Sequence, residues 1–286
     1  MKTKNLFLLF LLVTTTWTLE ALPLGNPAEA YLFSEGIFFQ SSFCNCLSVR
    51  AGYYGDYVFD RKLHVEKKGS FGRNFIQTKV YTNAGYLTVN LWERLDIFTT
   101  LGGTKISIEN DQNSWTERRE PFPEDTFLLF NDAFSWSIGG RAALLKWGCW
   151  TCGLEGQYFT AYPKRAKNLN YIDSIVRYIN IPSTYNEWQI GGALSYEINS
   201  LSPEFVLVPY FGIKGGHARL STEKATFRTI NFSGTALRAT VFNSKSKFTW
   251  GFPIGITLLL NHRFDFTLEG RYGDETAFSV MTQARF

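Results

Sequence analysis

Ten polar side chains stand out by their spacing: Arg50, Asp56, Arg141, Glu155, Gln157, Glu187, Asp265, Glu269, Arg271 and Arg285. Each alternates with apolar or aromatic neighbours, so an extended chain would gather them on the face opposite those neighbours. Asp60 and Gln189 fall on the same expected face. Both signs of charge occur there. Opposed acidic and basic walls make a field across a constriction, and rings of charge set ion selectivity. The chemistry expected of this set is the passage of ions and small hydrophilic solutes through a water-filled pore. The alternative is that opposite charges pair across a narrow lumen and fill it. The chain would then be a plugged structural or adhesive envelope protein without open-pore activity.

Other reactive residues give weaker signals. Cys44, Cys46, Cys149 and Cys152 are disulfide candidates, and four cysteines allow three intramolecular pairings besides links to other chains. Cys149 and Cys152 have C-x-x-C spacing, but no strand-to-helix setting for a redox motif surrounds them. No His follows at zinc-ligand spacing, so neither a metal nor a cofactor is expected. The three histidines are His64, His217 and His262. His217 with Ser221 and Glu223 could begin a hydrolase wall, yet a lone His beside polar residues is more often simply solvated. No Gly-x-Ser-x-Gly elbow, phosphate loop or His-Glu-x-x-His motif occurs, and no enzyme is expected. Asn231-Phe232-Ser233 is a formal glycosylation sequon within a strand-like run. Gly102-Gly103 and Gly215-Gly216 read as bends or close-approach sites in strands. A net charge of +4 leaves no footprint for nucleic acid.

The elements that must position these residues are strands. The chain has 286 residues, 45% hydrophobic, 17% aromatic and 19% charged, so it is not disordered. Lys2 and Lys4 precede an apolar run from Leu6 to Val13, the pattern of an exported leader removed after Ala21. Residues 1–21 hold Lys2, Lys4 and Glu20, so the remaining chain carries 27 − 24 = +3. No later apolar stretch is long enough for a membrane helix. In lipid, only a helix or a closed barrel satisfies every backbone polar group.

Almost every later segment alternates with period two. Ser48 to Asp60 sets Val49, Ala51, Tyr53, Gly55, Tyr57 and Phe59 against Arg50, Tyr54 and Asp56. Trp188 to Tyr196, Phe134 to Leu144, Phe248 to Leu260 and Phe264 to Tyr272 behave alike. Such strands are longer than the usual 5 to 6 residues of globular sheets, roughly 10 to 15. Aromatic residues at their ends suit interfacial girdles: Tyr57, Phe59, Trp92, Trp188, Phe248, Trp250, Phe264, Tyr272 and Phe286. The fold expected is all-β, a transmembrane antiparallel β-barrel of about 12–16 strands over residues 22–286. Residues 22–46 form an N-terminal segment, partly a strand or a plug. Phe286 at the end of the last strand fits the terminal signal that barrel-insertion machinery reads in outer-membrane proteins.

Several stretches together resemble the chlamydial major outer membrane porins. They are "LPLGNPAE" (22–29), "SVRAGYYGDYVFDR" (48–61), "NLWERLDIFTTLGG" (90–103), "AFSWSIGGRAALLKWGCWTCGLEGQYF" (133–159), "WQIGGALSYEI", "LVPYFGIK" and the closing "TLEGRYGDETAFSVMTQARF". The resemblance covers most of the chain in order, and the chain is shorter than the family pattern. It implies an outer-membrane barrel in contact with lipid, a trimer, and disulfide links to other envelope proteins. Cys149 matches a family position near "KWGC", and Cys44 and Cys46 lie where the family has a cysteine-rich segment.

Overall fold

A computed structural model describes residues 22–32, 47–66, 75–110, 126–169, 176–202, 205–222, 226–230, 236–240, 243–246, 250–261, 263–273 and 275–285. Phe248, Phe286, Cys44, Cys46, His262 and the Asn231 sequon lie outside the described residues.

The elements of the described residues begin with a short helix, α1 (Glu29–Leu32). Strands β1 (Leu47–Val65), β2 (Phe75–Leu91), β3 (Leu95–Asn110), β4 (Thr126–Phe130), β5 (Ala133–Trp147) and β6 (Trp150–Ala161) follow. Next come β7 (Arg165–Leu169), β8 (Val176–Asn180), β9 (Ser183–Tyr196), β10 (Ile198–Ser202) and β11 (Phe205–Thr222). The last are β12 (Thr226–Ile230), β13 (Ala236–Thr240), β14 (Ser244–Ser246), β15 (Trp250–Leu260), β16 (Phe264–Gly273) and β17 (Glu275–Arg285).

Ten strands close a barrel in the cyclic order β1, β2, β3, β5, β6, β9, β11, β15, β16, β17. All neighbours are antiparallel. The seam is β1 against β17, with Arg50 opposite Arg285 and Tyr54 opposite Met281. Closure leaves no unpaired edge in lipid, which is what a membrane strand requires.

Ten staves are fewer than the 12–16 expected. The difference lies in β4, β7, β8, β10 and β12 to β14, which the sequence alone does not separate from staves. Each has 5 residues or fewer, whereas crossing the hydrocarbon takes about 9 to 11. β4 pairs with the last four residues of β3, Ser107–Asn110, and β7 and β8 follow it in turn, while β12 pairs with β13 in a separate two-stranded sheet.

Short turns gather at one end. Trp92 and Glu93 take positive φ values of 53° and 56° between β2 and β3, Gly148 takes 61° between β5 and β6, and Asn261 takes 50° between β15 and β16. The other end carries the longer connections, such as 111–125, together with the short β16–β17 turn at Gly273, and longer connections on one end are the asymmetry of outer-membrane barrels. Of the Gly102-Gly103 pair, Gly102 is a close-approach site, since a Cβ there would stand 2.2 Å from the Asn83 carbonyl oxygen, whereas one on Gly103 would meet nothing within 4 Å.

Alternation sorts the side chains as expected. The outer surface exposes an aliphatic band that includes Leu87, Ile97, Leu101, Ile138, Leu154, Ile190, Ile213 and Ile254. Aromatic rings sit towards its margins: Trp92, Trp147, Trp150, Tyr196 and Phe264 at the short-turn end, and Phe59, Phe134, Trp250 and Tyr272 at the other. The inner face is polar and buried.

Candidate pore lining

Nine of the ten expected lining residues are buried inside the barrel: Arg50, Asp56, Arg141, Glu155, Gln157, Glu187, Asp265, Glu269 and Arg271. Arg285 shares their parity on β17 but is half-buried near the rim. Gln189 is also buried inside. Asp60 departs from expectation. The register slips between Val58 and Arg61, and a bulge of this kind reverses the parity beyond it. Arg61 therefore takes the inner position, and Asp60 is only half-buried at the bulge.

The half of the lumen towards the longer loops holds one ion-pair cluster. Arg61 forks onto Glu187, with Nη1 2.6 Å from Oε2 and Nη2 3.0 Å from Oε1. It also pairs with Glu275. The Tyr185 hydroxyl donates to Glu187 at 2.8 Å. Lys214 Nζ lies 3.3 Å and Arg271 Nε 3.0 Å from Glu275 Oε1, while Arg271 also pairs with Asp56. Three cations meet three carboxylates, contributed by β1, β9, β11, β16 and β17. Ions out of water are tolerated only when paired and hydrogen-bonded in this way.

The other half is assembled around residues 22–32. Among the described residues, the hydrogen bonds to Glu269 come from neutral donors. It accepts the Leu24 and Gly25 backbone N–H groups at 3.1 and 2.9 Å and the Tyr210 hydroxyl at 2.8 Å. Gln189 Nε2 donates to the Pro23 carbonyl at 2.6 Å. Arg141 reaches Glu155 at 2.5 Å and also pairs with Glu29 of α1. Thr267 and Thr257 donate to the same Glu29 at 2.8 and 3.2 Å. Asn90 bridges the Ala30 carbonyl and Asp96, each at 2.7 Å, and Arg50 pairs with Asp96. Gln157 donates to Ser137 at 2.8 Å and Gln283 to Asp265 at 3.2 Å.

Sequence reasoning missed Arg61, Asp96, Lys214, Glu275 and Glu29. Asp96 and Lys214 carry a usable signal, since each follows the alternation of β3 and β11. Arg61 lies past the bulge, and Glu29 belongs to no strand, so alternation is silent on both.

The remaining candidates do not converge. Cys149 is exposed at the turn between β5 and β6, Cys152 is half-buried on β6, and both are free thiols. His217 Nδ1 lies 3.3 Å from Ser246 Oγ. Ser221 is four residues further along the same strand, about 13 Å away. Among the described residues no cluster of His, Cys, Asp and Glu is arranged to hold a metal.

Comparison with known proteins follows the same outline. The family described as Chlamydia major outer membrane protein matches residues 1–71, 65–117 and 124–184. The major outer membrane porin of Chlamydia trachomatis serovar L1 is 26% identical over an alignment of 392 residues, covering 98% of each chain. The major outer membrane porin of Chlamydia pneumoniae is 27% identical, covering 94% of this chain and 95% of its own. The first alignment exceeds this chain by 392 − 286 = 106 positions, so that relative carries insertions of this order. Among solved structures, the outer membrane protease OmpT of Escherichia coli superposes with a TM-score of 0.45 at 13% identity, over 88% of this chain and 98% of that one.

Proposed function

We propose, from the premise that the chain belongs to the Chlamydia major outer membrane protein family, that this outer-membrane, lipid-embedded barrel passes small hydrophilic ions and solutes by diffusion. The observation that carries the reading is the charged inner face, continuous from Arg50 and Asp96 at the short-turn end to Arg61 and Glu187 near the other. A barrel that needed only a packed interior would be better served by apolar residues, because replacing buried ion pairs by such residues is often neutral or stabilising.

The same reading takes residues 1–21 as a leader removed on export and the assembly as a trimer. It also takes Cys149 as a disulfide partner of another envelope protein, which its exposure at one rim supports. No catalysed reaction is assigned.

The lining predicts a sign of selectivity. Among the described residues, the buried charges on the wall are Arg50, Arg61, Arg141, Lys214 and Arg271 against Asp56, Asp96, Glu155, Glu187, Asp265, Glu269 and Glu275. Five cations against seven carboxylates leave −2, so a wetted wall favours cations. The test is single-channel recording in a planar bilayer under a salt gradient. A reversal potential on the cation side is expected, moving further that way in Arg285→Glu at the half-exposed rim. A reversal potential on the anion side in both proteins would remove the assignment of these charges to the conducting path.

A second reading has its own observation. Side chains of the paired lumenal charges are no more than 5% exposed. Barrels of about eight strands have interiors that side chains just fill, and ten staves add little room. A folded barrel silent under all conditions would establish the structural, non-conducting alternative.

A further inference from the structure

We infer that the lumen is a binding groove for the chain's own residues Leu22–Leu32, and that this segment is a removable plug. Its residence in the groove stands apart from the porin reading; its effect on conductance rests on that reading.

The segment follows one stave. Leu22 meets Lys214, Leu24 meets Gly212 and Tyr210, Asn26 meets Val208, and Ala28 meets Val206. The numbers rise on one side as they fall on the other, so the segment runs antiparallel to β11 along its inner face. It leaves at the short-turn end, where Lys146 Nζ stands 3.7 Å from the centre of the Tyr31 ring.

The wall is shaped for it. Gly153, Gly191 and Gly212 face inward on the adjacent staves β6, β9 and β11. A Cβ on Gly153 would come within 2.5 Å of the Pro27 Cβ, and one on Gly191 or Gly212 within 2.6 or 2.7 Å of the Leu24 methyls. The three glycines form a trough that side chains would fill. Gly25, at φ 66°, lies against the Arg141 guanidinium, where a Cβ has no room.

The polar groups of the segment are matched by wall side chains. Lys214 donates to the Leu22 carbonyl at 2.6 Å, Gln189 to Pro23 and Asn90 to Ala30, while Glu269 accepts two backbone N–H groups. Pro23 and Pro27 have no N–H to satisfy. The Asn26 side chain donates to the Val208 carbonyl at 3.1 Å and accepts the Ala28 N–H at 3.0 Å, leading the chain into α1. A segment lying inside by chance would leave such groups unpaired, at a cost for each.

The same bonds show why it can leave. The backbone bonds of the segment are internal, from Glu29, Tyr31 and Leu32 back to Asn26 and Ala28. Its hold on the wall is through side chains, with no ladder to any stave among the described residues. Water can solvate Glu269, Gln189, Lys214 and Arg141 once it departs. The groove left behind would be a charged trough along β6, β9 and β11.

The test uses the processed chain purified from outer membranes, with Cys44, Cys46, Cys149 and Cys152 replaced by Ser. Leu24→Cys and the near-isosteric Ala28→Cys are exposed to a membrane-impermeant maleimide, with Trp92→Cys in the exposed β2–β3 turn as the accessible control. Labelling inside is expected to be at least roughly tenfold slower than at the turn, because it requires local release. Adding Glu29→Gln and Glu269→Gln together should remove most of that protection and raise the open fraction in planar bilayers. Labelling of Ala28→Cys as fast as the control, in a barrel shown folded by circular dichroism, would overturn the plug whatever the conductance. Protection that persists unchanged in the doubly substituted protein would overturn its removability. Protected cysteines released by the double substitution, with no conductance in any variant, would instead leave the plug standing and remove the porin reading.

Discussion

The two halves of the lumen solve the same problem differently. In the half nearer the longer loops, Arg61, Lys214 and Arg271 neutralise Asp56, Glu187 and Glu275 within the wall itself. In the half nearer the short turns, Glu269, Gln189 and Asn90 bond to residues 22–30, and Arg141 is shared between Glu155 and Glu29. The first arrangement touches the segment through Lys214, and its carboxylates keep Arg61 and Arg271 on the staves when the segment moves. The second depends on a peptide that occupies the space and makes no ladder. The difference teaches where the barrel is rigid and where it is open to exchange: charge pairing within the sheet fixes one region, and a removable partner completes the other.

Substitutions that break one half at a time test this contrast. Arg61→Ala leaves Glu187 and Glu275 buried beside fewer cations, and should lower barrel stability by about 3–5 kcal/mol in denaturant unfolding in lipid vesicles. A loss as small as that of a surface ion pair would show that this half is hydrated and not rigid.

Glu269→Gln should cost less, about 1.5–3 kcal/mol, the worth of hydrogen bonds to a charged group, because the displaced segment lets water reach the site. The same unfolding assay checks it, and a loss as large as that of Arg61→Ala would erase the distinction between the halves. Thr257→Val removes one of the two hydroxyls on Glu29 and leaves Thr267 in place. It should cost about 1.5 kcal/mol, the bottom of the range for a bond to a charged group because Thr267 remains, and only in a protein that retains Glu29. A double-mutant cycle with Glu29→Gln measures this, and additive effects would place Glu29 elsewhere than the lumen.

Much of this was legible in the chain. The sidedness of β1, β5, β9, β15 and β16 follows from period two, a local property that each strand carries by itself. It assigned the outer band, the girdles and the inner position of Arg50, Arg141, Glu187 and Glu269. It overcounted staves because a five-residue strand such as β4 or β7 resembles the end of a longer one. It lost parity at Val58, where a bulge adds a residue that no composition signal marks.

What the sequence determined by itself, then, is the barrel and the two faces of its wall, because alternation needs only neighbours along the chain. What only the tertiary structure decided is which charges meet and what fills the lumen. Arg61 and Glu187 are 126 residues apart, Arg271 and Asp56 are 215, and Glu269 and Leu24 are 245. Such contacts exist once closure of β17 on β1 fixes every register at the same time. The leading segment has no strand period to announce it; its place was set by three glycines on three different staves and a carboxylate on a fourth.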